Sequence, residues 1–368
     1  MTRVAIIGCG VVGAAIAYEL SLLPNLEITV IDCHQPAQGS TQAALGVLMG
    51  IISHKVKGRL WRLREQSIRR YHTLIRELEA IAPISFNRQG ILMLCFPGED
   101  MAQWEKLAAT RHTQGWQLEL LEPREVRQRY PQLGTVEIVG AVHSPQDGQV
   151  DPVVLTRALV RAAQGNGVRF RFSEGVERIN YTETDSGKRC DRLEMTGGNL
   201  AVDWLVMSAG LGSTPLTAGL ESPVEIRPVL GQAIHLRLET PMGNGESQPV
   251  ITGEDVHIVP SQGGDYPVTD YWVGATVEFT GEGDPMKGDP ALLQQVLQRA
   301  IAFCPDLASG EIVRTWSGLR PRPEGQPAPL IGPLAGFGNV LLATGHYRNG
   351  VLLAPATALE IRQAIAGS

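Results

Sequence analysis

At 368 residues the chain is long enough for about two domains and a sizeable core. Hydrophobic residues make up 43% and charged residues 19%, which excludes a disordered or low-complexity chain. The formal net charge of −6 gives a nucleic-acid partner no electrostatic support, and no apolar run reaches the ~18 residues of a membrane span.

The first residues carry the strongest pattern. Residues 4–7 are apolar and read as a buried strand, after which Gly8, Gly10 and Gly13 fit G-x-G-x-x-G at the turn into a helix. Val12, Ile16, Ala17, Leu20 and Leu23 continue at helical spacing; 26–31 read as a second strand, with Asp32 at its end. In such a βαβ unit the glycines admit a pyrophosphate to the positive end of the helix. The terminal acid accepts hydrogen bonds from a ribose and repels a 2′-phosphate. No secretory leader is expected, because this unit starts at once. The five cysteines, Cys9, Cys33, Cys95, Cys190 and Cys304, form no C-x-x-C pair and are odd in number. That argues against a zinc site or a disulfide framework and for a reducing, cytoplasmic setting.

A loop of small and polar residues follows at 38–47, then a long amphipathic helix at roughly 58–81. Its apolar face carries Leu60, Leu63, Ser67, Tyr71, Leu74 and Leu78. The basic run Lys55, Lys57, Arg59, Arg62, Arg64, Arg69 and Arg70 reads as its solvated face. Residues 84–96 read as a strand pair about an Arg-Gln-Gly turn. Helices are expected at 101–114, 123–130, 152–165 and 290–303, and at the C-terminus into Ile365. Strands are expected at 140–143, 168–172, 176–179, 205–210 and 340–344. Between 224 and 313 the chain is β-rich, with alternation in 232–238, 257–260 and 271–277. The other histidines show no metal-ligand spacing, so no metal is expected. His54 follows the loop's strand and is a candidate to face a bound ring.

One division orders these parts. Segments 1–83, 145–222 and 315–368 form a discontinuous nucleotide-binding domain of Rossmann type, α/β in class. Segments 84–144 and 223–314 form an inserted, mainly antiparallel β domain for substrate.

The C-terminal stretch Trp316-Ser-Gly-Leu-Arg-Pro321, Pro329-Leu-Ile-Gly332 and Ala343-Thr-Gly-His-Tyr-Arg-Asn-Gly350 resembles the FAD-dependent D-amino-acid oxidase family. The branch it most resembles is glycine oxidase, which feeds thiamine thiazole synthesis. The order of motifs matches over essentially the whole chain. The dinucleotide pattern comes first, then Gly-Ser-Thr-x-Ala-Ala-x-Gly and Asp-Gly-x-Val-Asp-Pro (147–152). The Ala-Gly strand end (209–210) and the two C-terminal motifs complete it. The resemblance implies FAD, with Gly8, Gly10, Val11, Val12 and Gly13 at the pyrophosphate. Asp32 would hold the adenosine ribose with Cys33 beside it, and the backbone of Val176 would read the adenine. Ser40 and Thr41 would contact the pyrophosphate region, Ala44, Leu45, Gly46 and Val47 would line the flavin, and Ala209 and Gly210 would close the strand end. His346, Tyr347, Arg348, Asn349, Gly350, Val351 and Leu352 would cradle the ring from the other side. A helix from about Gly350, with Pro355 in its first turn, would aim its positive end at the flavin N1–C2=O edge. Some relatives attach the flavin through a cysteine near the C-terminal arginine. Cys304 lies outside any such motif, so noncovalent FAD is expected.

Arg320 is the candidate substrate anchor, since a guanidinium offers a carboxylate two parallel donors. Arg348 either shares the substrate or braces the flavin loop. His257 stands where the resembled branch tends to carry Tyr; it can donate a hydrogen bond and can titrate near neutral pH. The implied reaction is oxidative deamination of a small amino acid by hydride transfer from the α-carbon to flavin N5, with O2 reoxidising the flavin to give H2O2. Glycine leads, followed by sarcosine and small D-amino acids. Alternatives are an FAD-dependent dehydrogenase of a 2-hydroxy or imino acid and a non-enzymatic flavin-binding assembly module. A homo-oligomer, such as a tetramer, and a functional link to thiazole synthase are implied by the resemblance; a nucleic-acid or membrane partner is not.

Overall fold

The computed structural model describes all residues except 135–136, 186, 280, 282–286 and 368. A six-stranded sheet orders the strands Leu330–Pro333, Val340–Thr344, Trp204–Met207, Thr2–Ile7, Leu26–Asp32 and Arg169–Phe172. All its neighbours run parallel except the antiparallel edge pair Leu330–Pro333 and Val340–Thr344. Alternation along the central strand sends Val4 and Ile6 into one core with the helices Val11–Ser21, Pro152–Gly165 and Gly350–Ala366. Ala5 and Ile7 face a second core, under the antiparallel sheet of Val176–Thr184, Gly187–Met195 and Gly198–Ala201. Helix Pro152–Gly165 begins where expected because Asp151 accepts from the Val153 and Val154 amides with Pro152 at the first position. Helix Pro290–Phe303 repeats the device with Asp289 and Ala291.

A nine-stranded sheet is built around Ile226–Arg237, which pairs with Glu311–Pro323 on one side and Asp270–Gly274 on the other. Val256–Pro260, Val250–Gly253, Ile91–Cys95, Gly140–Ser144 and Glu119–Leu121 continue it. On one face Leu92, Ile234, Ile251, Ile258 and Val273 pack with Val296, Leu297, Ala300 and Phe303 of helix Pro290–Phe303. The alternate residues Ala233, Gly274, His257 and Thr252 stand in one row on the other face. A Cβ on Gly274 would lie 3.2 Å from Leu45, so that face looks toward the 40–49 segment. Among the described residues no helix is long and apolar enough to cross a membrane.

Two expectations change. The strands Phe86–Asn87 and Ile91–Cys95 form, but not with each other. Phe86–Asn87 joins Gly148–Val150 and Val47–Leu48, whereas Ile91–Cys95 enters the nine-stranded sheet. Residue 315, where the third segment of the expected nucleotide-binding domain is drawn, lies inside the strand Glu311–Pro323, which pairs with Ile226–Arg237. The basic run is not uniformly solvated. Arg70 is held by Glu19 and Glu77, with its side chain 12% exposed, and Arg64 turns inward.

Candidate active site

The first helix starts at Val11 with Gly10 as its N-cap, no side-chain cap and no acid in its first turn. Thr41 Oγ1 accepts the Val11 amide at 3.0 Å, which brings the 40–44 segment to the helix end. A Cβ on Gly13 would lie 1.9 Å from the Gly8 carbonyl oxygen, so helix and strand approach only with glycine there. Asp32 accepts the Cys9 amide at 2.6 Å and the His34 amide at 2.8 Å, one on each oxygen. Cys33 beside it is exposed, whereas Cys9 is buried and its thiol is pushed up by desolvation and then by Asp32. The Glu174 amide donates to the Asp32 carbonyl, which places Val176, the first residue of its strand, near the same end. Ser208, preceding Ala209 and Gly210, donates through its hydroxyl to Ile7 and Gly8 carbonyls, and Thr344 donates to the Gly210 carbonyl.

The Trp-Ser-Gly-Leu-Arg-Pro strand docks on the 40–44 segment. Ser40 Oγ donates to the Leu319 carbonyl at 2.6 Å, and Trp316 Nε1 donates to the Ala43 carbonyl at 3.1 Å. A Cβ on Gly318 would fall 2.1 Å from Ala43 Cβ. Beyond Ala44, the Leu45 carbonyl accepts from Gln149 Nε2, Gly46 sits against the Val150 carbonyl, and Val47 pairs with Gln149. The next turn is clamped from two sides. Asp147, buried, accepts the amides of Gly50, Ile51 and Ile52 and the Ser144 hydroxyl. Arg111, also buried, donates to the Ile51, Ser53 and Lys55 carbonyls and lies over the Trp61 ring. Burial lowers Arg111 to about 10. Sequence reading quoted Asp147 within a motif without a role and missed Arg111, whose helix position gives no sign that it is buried.

Arg320 is part-buried. Its Nη1 donates to the Leu230 carbonyl at 3.1 Å, and its guanidinium lies where a Gly231 Cβ would be. No carboxylate among the described residues forms an ion pair with it. Burial and then the neighbouring Arg348 lower its pKa. His257 Nδ1 shares a 2.9 Å hydrogen bond with Thr252 Oγ1. Burial, then Arg348 and Arg320, lower His257 to about 4 against the opposing pull of Asp255. The three candidate substrate residues are therefore close enough to act on one another. Arg348 itself is exposed.

Residues 3–364 match the family described as DAO, FAD dependent oxidoreductase. The chain belongs to that family. It is 28% identical to the glycine oxidase of Geobacillus kaustophilus, over 97% of this chain and 91% of that one. It is 32% identical to the bifunctional protein ThiO/ThiG of Synechocystis, over 98% of this chain but 51% of that one, so it spans about half of that relative. The solved glycine oxidase structure from Geobacillus kaustophilus matches with a TM-score of 0.85 at 27% identity, covering 100% of this chain and 96% of that one.

The fold is the family's α/β FAD-binding architecture, and the residues present fit FAD. In this FAD-dependent oxidoreductase the helices that begin at Val11 and Gly350 carry no acid in the first turn and no cap from the N-cap residue's own side chain, which fits a diphosphate or an electron-rich ring edge at such an end, the Val11 amide itself being held by Thr41. The His346 side chain is buried, shares a 2.9 Å hydrogen bond with Thr357 Oγ1 and is lowered to about 4 by desolvation. The Val351 and Leu352 side chains are buried in the core, while Tyr347, Asn349 and Gly350 are half-buried. Pro355 lies beyond the first turn, inside the helix. His54 is exposed against the Trp104 ring. Cys304 is buried in the core under the nine-stranded sheet.

Proposed function

We propose that this oxidoreductase oxidises the CH–NH2 bond of a small amino acid, glycine first, to the imine, which water converts to glyoxylate and ammonia, with O2 reduced to H2O2. The observation that carries the reading is the part-buried Arg320 guanidinium, which forms no ion pair with a carboxylate among the described residues, beside Arg348 and on the sheet face that bears His257. A part-buried cation beside a second guanidinium favours an anionic ligand, and a carboxylate matches its two parallel donors. Docking of 316–319 on 40–43 fixes Arg320 relative to the cofactor segment, so a held carboxylate presents its α-carbon in one orientation. FAD, when bound, supplies the two-electron acceptor and returns the electrons to O2.

The remaining residues handle charge. Two guanidinium groups disfavour a third positive charge, so they lower the affinity of the site for a protonated amine and favour the neutral amine needed for reaction. Neutral His257 lines the wall as a hydrogen-bonding group and adds no charge. No side-chain base is required once the amine is neutral. Bound FAD would be held by Gly8, Gly10 and Val11–Gly13 at the diphosphate, by Asp32 and Val176 at the adenosine, and by residues 44–47 and 346–352 at the flavin. The division into a nucleotide-binding and a substrate-binding domain belongs to the same proposal, as does a link to thiazole synthesis, supported by the bifunctional ThiO/ThiG relatives.

The test is anaerobic mixing of the FAD-loaded protein with glycine, followed at the flavin absorbance band. Bleaching that air reverses supports the reading. A flavin unchanged by glycine, sarcosine and D-alanine overturns it; bleaching by a 2-hydroxy or imino acid alone would move the substrate to that class.

A further inference from the structure

Helix Gly58–Glu79 turns one stripe, Arg64, Ser67 and Tyr71, toward the start of the final helix. Tyr71 donates to the Val351 carbonyl, and Ser67 Oγ accepts the Ala356 amide at 3.3 Å. Arg64 makes the most unusual contacts of the three. Its Nη1 donates to the Met49 carbonyl at 2.6 Å, two residues past Val47, and its Nη2 donates to Asn349 Oδ1 at 3.2 Å. Its Nε is buried without a partner. Asn349 is the N-cap residue of the final helix yet caps nothing with its side chain, because its amide oxygen is held by Arg64. Arg64 thus joins the 47–49 segment to the start of the final helix, the two segments that the family resemblance places at the flavin.

We propose that Arg64 is a positioning residue for the cofactor: it fastens the 47–49 segment to the start of the final helix and sets a fixed positive charge there that favours the reduced, more negative flavin. Among the described residues no carboxylate forms an ion pair with Arg64. The carboxylate acting on Arg64 is Asp147, whose two oxygens are occupied by the Gly50, Ile51 and Ile52 amides and the Ser144 hydroxyl. A guanidinium keeps its charge under such burial, and the helix dipole adds the same sign at the same place. A negative charge gained on reduction is stabilised by both.

The test rests on the family's FAD and not on the substrate assignment. The midpoint potential of the FAD-loaded full chain is measured by equilibration with redox dyes, without any amino acid, for wild type, Arg64→Gln and Arg64→Lys. Arg64→Gln removes the charge and is expected to lower the two-electron reduction equilibrium about tenfold, a shift of ~30 mV to more negative potential. Arg64→Lys keeps the charge but loses the fork; its reduction equilibrium is expected within about threefold of wild type while FAD binds several-fold more weakly. An unchanged potential in Arg64→Gln overturns the proposal and leaves a plain structural brace. If Arg64→Gln does not retain FAD, the lysine variant decides: a tenfold fall there overturns the proposal, and a potential near wild type supports it. Failure of glycine to reduce the flavin alters none of these outcomes.

Discussion

The Tyr71 hydroxyl donates to the Val351 carbonyl, the acceptor that Pro355 leaves without its helical N–H. A proline inside a helix removes the bond to the carbonyl four residues earlier. Here a phenol from the neighbouring helix supplies the missing donor in a site where neither group meets water. The final helix therefore keeps its direction through a residue that would otherwise weaken its first two turns.

Tyr71→Phe is expected to cost about 1–3 kcal/mol, the penalty of an unsatisfied buried carbonyl. Pro355→Ala restores an N–H for Val351. The pair should be non-additive, with Tyr71→Phe costing less in the Pro355→Ala background. Denaturant unfolding of the four proteins of this double-mutant cycle gives the coupling; strict additivity would refute the relationship.

Arg320→Ala is expected to lower the limiting rate of anaerobic flavin reduction per unit substrate concentration by about 10²–10⁴, the loss of two charge-assisted hydrogen bonds at ~1.5–3 kcal/mol each. Arg320→Lys should recover part of this, since a lysine places charge but not the fork. The flavin spectrum and FAD affinity should change far less, because the hydrogen bond Arg320 makes is to the Leu230 carbonyl, outside the nucleotide cradle.

His346 is buried and held at about 4 in the folded chain against 6.5 when free. Its folded value lies below its unfolded value, so the folded state resists protonation. The stability it permits is complete above about pH 6.5, falls as pH drops toward about 4, and levels off below. The span is worth roughly 3 kcal/mol. Unfolding free energies measured between pH 7 and pH 4.5 should show this slope, and His346→Gln should flatten it. His257, lowered to about 4 by burial and the two arginines, should contribute no inflection to activity in the neutral range. The rising limb there should belong to the substrate amine, and His257→Gln should leave its midpoint in place.

Gly318→Ala puts a Cβ where Ala43 Cβ already lies, 2.1 Å away. The strand must lift from the 40–44 segment, at a cost of about 1–3 kcal/mol. Because Ser40 and Trp316 bond across the same contact, FAD binding and substrate KM should worsen together. Titration of apoprotein with FAD, paired with steady-state kinetics, checks this; a change in one without the other would separate the two surfaces.

The nucleotide-binding half was largely legible in the chain because its signals are local. Glycine spacing marked the first turn, and Asp-Pro steps marked the starts of helices Pro152–Gly165 and Pro290–Phe303. Strand partners were not legible. Phe86–Asn87 and Ile91–Cys95 look like a hairpin, but their neighbours come from residues 140–150 and 250–253, and only the assembled sheets decide between them. The sheet of residues 176–201 was read only at its first strand, since exposed polar alternation on Gly187–Met195 carries little apolar signal. Arg64 and Arg111 were illegible for a different reason. Periodicity assigns a long cationic side chain to the solvent face, whereas its head can curl back several ångströms to a carbonyl that no pattern reveals. Arg320 was readable only through its motif; its neighbours Leu230 and Gly231 lie on a strand far away in sequence.

The docking of Leu319 on Ser40 ties the strand of Arg320, the proposed carboxylate anchor, to the proposed cofactor-side segment across 279 positions of sequence. One wall of the reaction chamber is thereby a single mechanical piece, and any drift in the anchor drags the cofactor cradle with it. The row through His257 and Thr252 stands on the same sheet face, and its Gly274 lies against Leu45 of that segment. In the proposed reading, a substitution made on this face for a new amine is therefore felt at the cofactor as well.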